Sequence, residues 1–150
     1  MKYINRWGLM RSIPEKAALY AIYHDASEIF TGDMPTPVKY SNTLIKTAYK
    51  DVELAASRRL LKLLPEDFYN DYEGVLIPRE DEQDIWKTIK AADKISAYIK
   101  CIEEEKSGNK EFLKAKQSIL RDLNSMDRED VNIFMSEFME GYELTLDEME

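Results

Sequence analysis

The chain has one cysteine and one histidine in 150 residues, and only five glycines and five prolines. A single cysteine, Cys101, excludes an internal disulfide and points to a reducing compartment. A catalytic thiol is the weaker reading of Cys101, since the histidine lies far from it in sequence and no other sign of thiol activation is visible. The scarcity of glycine and proline, with 44% hydrophobic and 33% charged residues, excludes a disordered or low-complexity chain. No alternating segment is long enough to read as a strand, which leaves an all-α fold. A long apolar run is also lacking. Met1 to Arg11 carries three basic residues but nothing resembling a signal peptide or membrane span, so a cytoplasmic protein without a membrane partner is expected.

Positive charge is in deficit. With 21 basic against 29 acidic residues, the net charge is -8, which argues against a nucleic-acid polymer as partner, because such binding rests on clustered Lys and Arg. A small nucleotide remains compatible, held by a few local cations or a metal. A chain of 150 residues fits one domain with a core of its own.

What is present reads as a series of helices. Pro14 suits a first helical turn, and Glu15 to Phe30 is a helical run broken by Thr31, Gly32 and Asp33. Gly32 to Tyr40, with Pro35 and Pro37, is expected to be a stiff loop. Ser41 or Asn42 can cap a second helix that runs to about Leu64, where Pro65 ends it. Pro65 to Arg79 reads as irregular. Glu80, Asp81, Glu82 and Asp84 suit the start of a third helix, reaching Lys106 before Ser107, Gly108 and Asn109. Glu111 to Asn124 is a fourth, and Asp127 can cap a fifth with an apolar stripe of Val131, Phe134, Met135 and Phe138.

The chemistry concentrates in His24-Asp25-Ala26-Ser27-Glu28. On a helix, Glu28 shares a face with both His24 and Asp25, and Asp25 shares one with Ala21, Ile22 and Ile29. Asp93 likewise sits among Ile89, Ser96 and Ala97. Carboxylates buried on apolar faces need a cation or strong donors, and an imidazole with carboxylates suits a catalytic divalent first-row metal. From spacing alone, a structural histidine and solvent-facing acids remain the competing reading.

Three blocks carry a further signal. Ile4-Asn5-Arg6-Trp7, then Tyr23 to Glu28 continuing through Thr31-Gly32-Asp33-Met34-Pro35-Thr36-Pro37-Val38-Lys39, and Ala92-Asp93 with Ala97 to Cys101, together resemble the bacterial 5'-deoxynucleotidases (YfbR-like) of the HD-domain phosphohydrolase superfamily. The likeness continues through Asn109, Glu111, Phe112 and Leu113 to Leu144 to Glu148. It implies an HD-type helical bundle that removes phosphate from deoxyribonucleoside 5'-monophosphates. It also implies His24, Asp25 and Asp93 as ligands of a divalent metal (cobalt, manganese, zinc, magnesium or a similar ion), Glu28 as the residue that handles a proton, and Asp33 in the catalytic site. Arg6 and Trp7 are implied to contact the nucleotide, and a homodimer is implied as well. Trp7 can equally be a core anchor, and Thr36 and Lys39 either reach the phosphate or sit in a purely structural turn.

The chain departs from the family at one place. A further metal-ligand histidine, in a Ser-Glu-His-type segment, is expected on a helix between Arg-Trp and His-Asp, but the sequence passes directly from Ser12 to Ile13. The expectation is a single HD-type domain over residues 1 to 150 that lacks this helix. Either the natural protein carries the helix and this chain is without it, or a real deletion has damaged the site; the former is favoured because both flanks still match. The rival functions are an HD phosphohydrolase for another nucleotide and an inactive HD domain that binds a nucleotide or a protein.

Overall fold

The computed structural model describes residues 3–4, 10–11, 14–34, 42–144 and 146–148. Two dipeptide strands, β1 (Tyr3–Ile4) and β2 (Met10–Arg11), pair in a small ladder, and the remaining regular structure among the described residues is helical. The chain divides into two compact units, the first containing residues 10–89 and the second containing residues from 90 onward together with Ile4.

The first unit opens with α1 (Pro14–Tyr23), which starts on its proline as expected. The helical run then breaks earlier than the sequence suggests. Residues 24–27 form a turn, with Ala26 N–H donating to Tyr23 O and Glu28 N–H to Asp25 O, both spanning three residues, before the one-turn α2 (Glu28–Thr31). Next comes α3 (Thr43–Leu61), capped by Asn42, whose side-chain oxygen accepts from Ile45 N–H at 2.8 Å. Its buried residues are Tyr49, Ala56, Ser57 and Leu61. Tyr49 donates its hydroxyl to Gly32 O at 3.1 Å, and the Arg59 guanidinium lies 4.6 Å from the centre of the Phe30 ring, so α3 holds the chain at the end of α2.

The stretch expected to be irregular contains a helix, α4 (Glu66–Leu76). Pro65 stops α3 and also stands at the N-cap of α4, with Glu66 and Asp67 favourably placed in the first turn. A 3₁₀ turn (Glu80–Glu82) then leads into α5 (Gln83–Lys106), 24 residues long. The core of this unit is Tyr20, Val75, Ile85, Trp86 and Ile89, with Ala17, Ala21 and Tyr23 packed against it. Tyr20 and Trp86 meet with ring centroids 5.5 Å apart, and Tyr23 meets Tyr72 edge-on at 5.7 Å.

In the second unit, α5 continues from Lys90 and is followed by α6 (Leu113–Asn124), α7 (Glu129–Glu137) and α8 (Met139–Glu143). Gly108, at φ 86°, turns the chain out of α5 at the place where the sequence signals a stop. Ala91, Ile95, Tyr98 and Ile102 form the buried stripe of α5 here, joined by Leu123, Val131 and Met139. Asp127 does not cap α7: it lies in the left-handed region at φ 47°, and Arg128 holds the capping position. Of the predicted α7 stripe, Val131 is buried and Phe134 and Met135 pack on the core, while Phe138 is exposed where the helix gives way to α8. Among the described residues, Leu61 in the first unit and Leu123 in the second are the largest side chains fully enclosed, each burial stabilising by about 1.5–3 kcal/mol.

Candidate metal and nucleotide site

His24 begins the turn after α1. Its Nδ1 lies 2.7 Å from Ala21 O, and since a carbonyl oxygen only accepts, Nδ1 carries the proton. The other ring nitrogen, Nε2, lies 3.0 Å from Asp25 Oδ2. A ring nitrogen and a carboxylate oxygen this close are donor types that a divalent first-row cation accepts together. The His24 side chain is 26% exposed and that of Asp25 57%, while the Nε2 atom itself is enclosed. A backbone carbonyl on one ring nitrogen is also the usual support for a metal-binding imidazole. The residues of the first unit thus fit a divalent metal.

Two expectations about these acids need correction. Asp25 is exposed because the helical phase that would carry it onto the face of Ala21 and Ile29 ends at Tyr23. Asp93 is exposed too: its neighbours Ser96 and Ala97 are exposed with it, and the buried stripe of α5 runs through Ala91, Ile95 and Tyr98 instead. Neither carboxylate is a buried charge in search of a partner, so the donor set itself carries the metal argument.

Glu28 opens α2 and is half-buried, its N–H bound to Asp25 O at 2.9 Å. That bond ties the backbone of Glu28 to that of the residue adjoining His24. The shared face expected from a continuous helix is replaced by this turn. Asp33 is exposed one residue after Gly32, whose φ of 66° reverses the chain. Arg6, Trp7, Thr36 and Lys39 lie outside the described residues, as do Ser12 and Ile13. An open cleft lined by Leu61, Lys62, Leu64, Glu66, Tyr69 and Asn70 contains none of the expected site residues.

Behind His24 stands a polar network that sequence reading missed. Glu82 accepts from the Tyr20 hydroxyl at 2.6 Å and from the Lys16 ammonium, and only a tenth of the Glu82 side chain is exposed. Burial pushes the Glu82 carboxyl up, but the two donors outweigh it and hold it below its ordinary pKa. The Glu82 hydrogen bond, ahead of the opposing desolvation, raises Lys16; burial, then Glu82, raises Tyr20. Lys16 and Tyr20 are spaced for one helix face, but their partner lies 62 residues beyond Tyr20, a distance that no local pattern spans. Gly74 leaves room for this network, since a Cβ there would come within 3.3 Å of the Tyr20 hydroxyl.

The family model for 5'-deoxynucleotidase YfbR-like proteins matches residues 12–142. A 5'-deoxynucleotidase of Photobacterium profundum is 43% identical over 136 residues, covering 91% of this chain and 70% of the relative. One from Vibrio cholerae is 39% identical over 181 aligned positions, with 99% of this chain and 93% of the relative covered. One from Erwinia tasmaniensis is 35% identical, with 99% and 91% covered. An alignment of 181 positions exceeds the 150 residues available, so the Vibrio cholerae relative carries residues that have no counterpart here. The residues matched and the extent of the identity settle the lineage: the chain belongs to the 5'-deoxynucleotidase YfbR-like family.

Proposed function

We propose that this protein is a hydrolase that removes phosphate from deoxyribonucleoside 5'-monophosphates, with a divalent metal held by His24, Asp25 and Asp93. Each of the three offers one ligand atom, a ring nitrogen or a carboxylate oxygen, the mixture that first-row divalent ions accept. The observation that carries the reading is His24 Nε2 standing 3.0 Å from Asp25 Oδ2, in a chain whose relatives are named 5'-deoxynucleotidases. A metal bound there supplies Lewis acidity toward the phosphate and lowers the pKa of water. Ala21 O keeps the His24 ring in the tautomer that presents Nε2. Glu28 takes and returns a proton, and Asp33 belongs to the catalytic site. Arg6 provides planar donors to phosphate oxygens, Trp7 packs on the sugar or base, and Thr36 and Lys39 reach the phosphate. A cytoplasmic homodimer belongs to the same reading; no helix among the described residues is long and apolar enough to cross a membrane.

The residues that the Vibrio cholerae relative carries in addition support a second part of the proposal: the natural protein has a further helix between Ser12 and Ile13, with another metal-ligand histidine. Ile22 and Ile29, 75% and 76% exposed on either side of His24, are apolar surface that such a helix would cover. Inserting the relative's additional residues at Ser12–Ile13 is expected to raise both metal affinity and Tm, and no gain in either would refute their placement there.

The test of function is phosphate release from a panel of deoxyribo- and ribonucleoside monophosphates, cyclic nucleotides and triphosphates, with cobalt, manganese, zinc or magnesium and with a chelator. Metal-dependent release confined to deoxyribonucleoside monophosphates is the expected result. Turnover of another nucleotide alone would move the protein to a different substrate class. Stoichiometric metal without turnover of any of them would mark an inactive binding domain.

A further inference from the structure

The geometry of the first unit points to a positioning role for the Glu82 carboxylate toward the His24 imidazole; we infer that Glu82, through Tyr20 and α1, fixes which ring nitrogen His24 presents to the metal. The inference rests on the reading of His24 as a ligand.

One contact that orients His24 is that of Nδ1 with Ala21 O, a backbone atom of α1, so the placement of the ring depends on the helix that carries that carbonyl. Rotating α1 about its axis, or sliding it by a fraction of a turn, would move Ala21 O away from Nδ1. Tyr20 and Lys16 resist both movements. They stand four residues apart on one face and converge on the same carboxylate, so two points along α1 are tied to one group. Tyr20 adds its ring, which packs on Trp86 and leaves the residue only 3% exposed. The residue next to Tyr20 is Ala21 itself. The path from Glu82 to the ring nitrogen is therefore one hydrogen bond, one peptide step and a second hydrogen bond.

The groups facing Glu82 are Lys16 and Tyr20 from α1 and Arg79 from the segment before the 3₁₀ turn. A second anchor for the end of α1 is the Tyr23–Tyr72 contact with α4, and the experiment separates the two.

His24 is the only histidine in the chain, so ¹⁵N-histidine labelling of the full protein yields one imidazole whose nitrogen shifts report its tautomer directly. The metal-free protein is measured at alkaline pH. The wild type is expected to carry its proton on Nδ1. Tyr20→Phe keeps the ring on Trp86 and removes only the hydroxyl, and Glu82→Gln removes the charge. Both are expected to move a sizeable fraction of the ring to the Nε2-protonated form and to weaken binding of cobalt alone by about tenfold, the lower end of the range for supporting partners of metal ligands. A Lys116→Ala control in the second unit, which removes the ion pair with Glu105, is expected to change neither. Folded Tyr20→Phe and Glu82→Gln proteins with the wild-type tautomer would overturn the inference, as would a shift produced by Tyr72→Ala but not by Tyr20→Phe. Because the tautomer is read without metal, nucleotide or turnover, a failure of the deoxynucleotidase reading leaves this result standing and distinguishable.

Discussion

The Tyr20 hydroxyl donates to Glu82 at 2.6 Å while the Lys16 ammonium donates to the other oxygen of the same carboxylate. The folded protein holds Glu82 below its ordinary pKa, so its contribution is fully present above that ordinary value and is lost as pH falls through the lowered one. Lys16 and Tyr20 are raised, so theirs is present below their ordinary values and is lost as pH rises through the raised ones. Glu82→Gln is expected to cost about 1–2 kcal/mol near neutrality. In melts at a series of pH values, the difference in Tm from the wild type should shrink below about pH 4. A constant difference down to pH 2 would show that the charge on Glu82 contributes nothing.

Asp93→Asn replaces an anionic oxygen by a neutral amide in the proposed donor set. Metal content of the purified variant, measured by elemental analysis, should fall with hydrolysis and without a comparable fall in Tm, since the position is exposed. Full metal occupancy in the variant would remove Asp93 from the ligands.

Glu28→Gln keeps the shape of the side chain and withdraws its capacity to carry a proton. Turnover is expected to drop by about 100-fold or more while metal and nucleotide still bind. Equilibrium binding and kcat, measured on one preparation, check this. Near-normal kcat at saturating substrate would place the proton transfer elsewhere.

Cys101 is buried in the second unit, and burial pushes its thiol up. The folded protein should react with a thiol reagent at least about 100-fold more slowly than the denatured chain, because the thiolate is the nucleophile and is both scarce and shielded. Rapid labelling of native protein would contradict the enclosed position.

Much of the helical layout is legible because its punctuation is local. Asn42 caps α3, Pro65 stops it and Gly108 releases α5, each through backbone chemistry that needs no distant partner. α4 was illegible for the opposite reason. Phe68, Tyr69, Asn70, Asp71, Tyr72 and Gly74 are indifferent helix formers, and the contacts of Tyr72 with Tyr23 and the burial of Val75 supply what propensity does not. The residue types at His24 and Asp25 were readable, but their surroundings were not. The turn at 24–27 contains neither glycine nor proline, so the loss of helical phase that exposes Asp25 has no local mark. Glu82 escaped notice because it reads as one of several acids at a helix start, and only the return of α1 onto it gives it a distinct task.

Leu61 and Leu123, one fully enclosed in each unit, give the molecule a matched pair of probes for cooperativity. Truncating either to alanine removes the same atoms from equally sealed surroundings, at about 2–5 kcal/mol each. If the whole chain unfolds as one thermodynamic unit, Leu61→Ala and Leu123→Ala lower a single transition together, whichever side the cavity is on. If the units are separate foldons, each substitution advances the melting of its own side alone: Cys101 becomes labelled early in Leu123→Ala and keeps its wild-type protection in Leu61→Ala. The answer decides whether damage far from His24 is felt there as lost stability or stays confined to the side where it occurs.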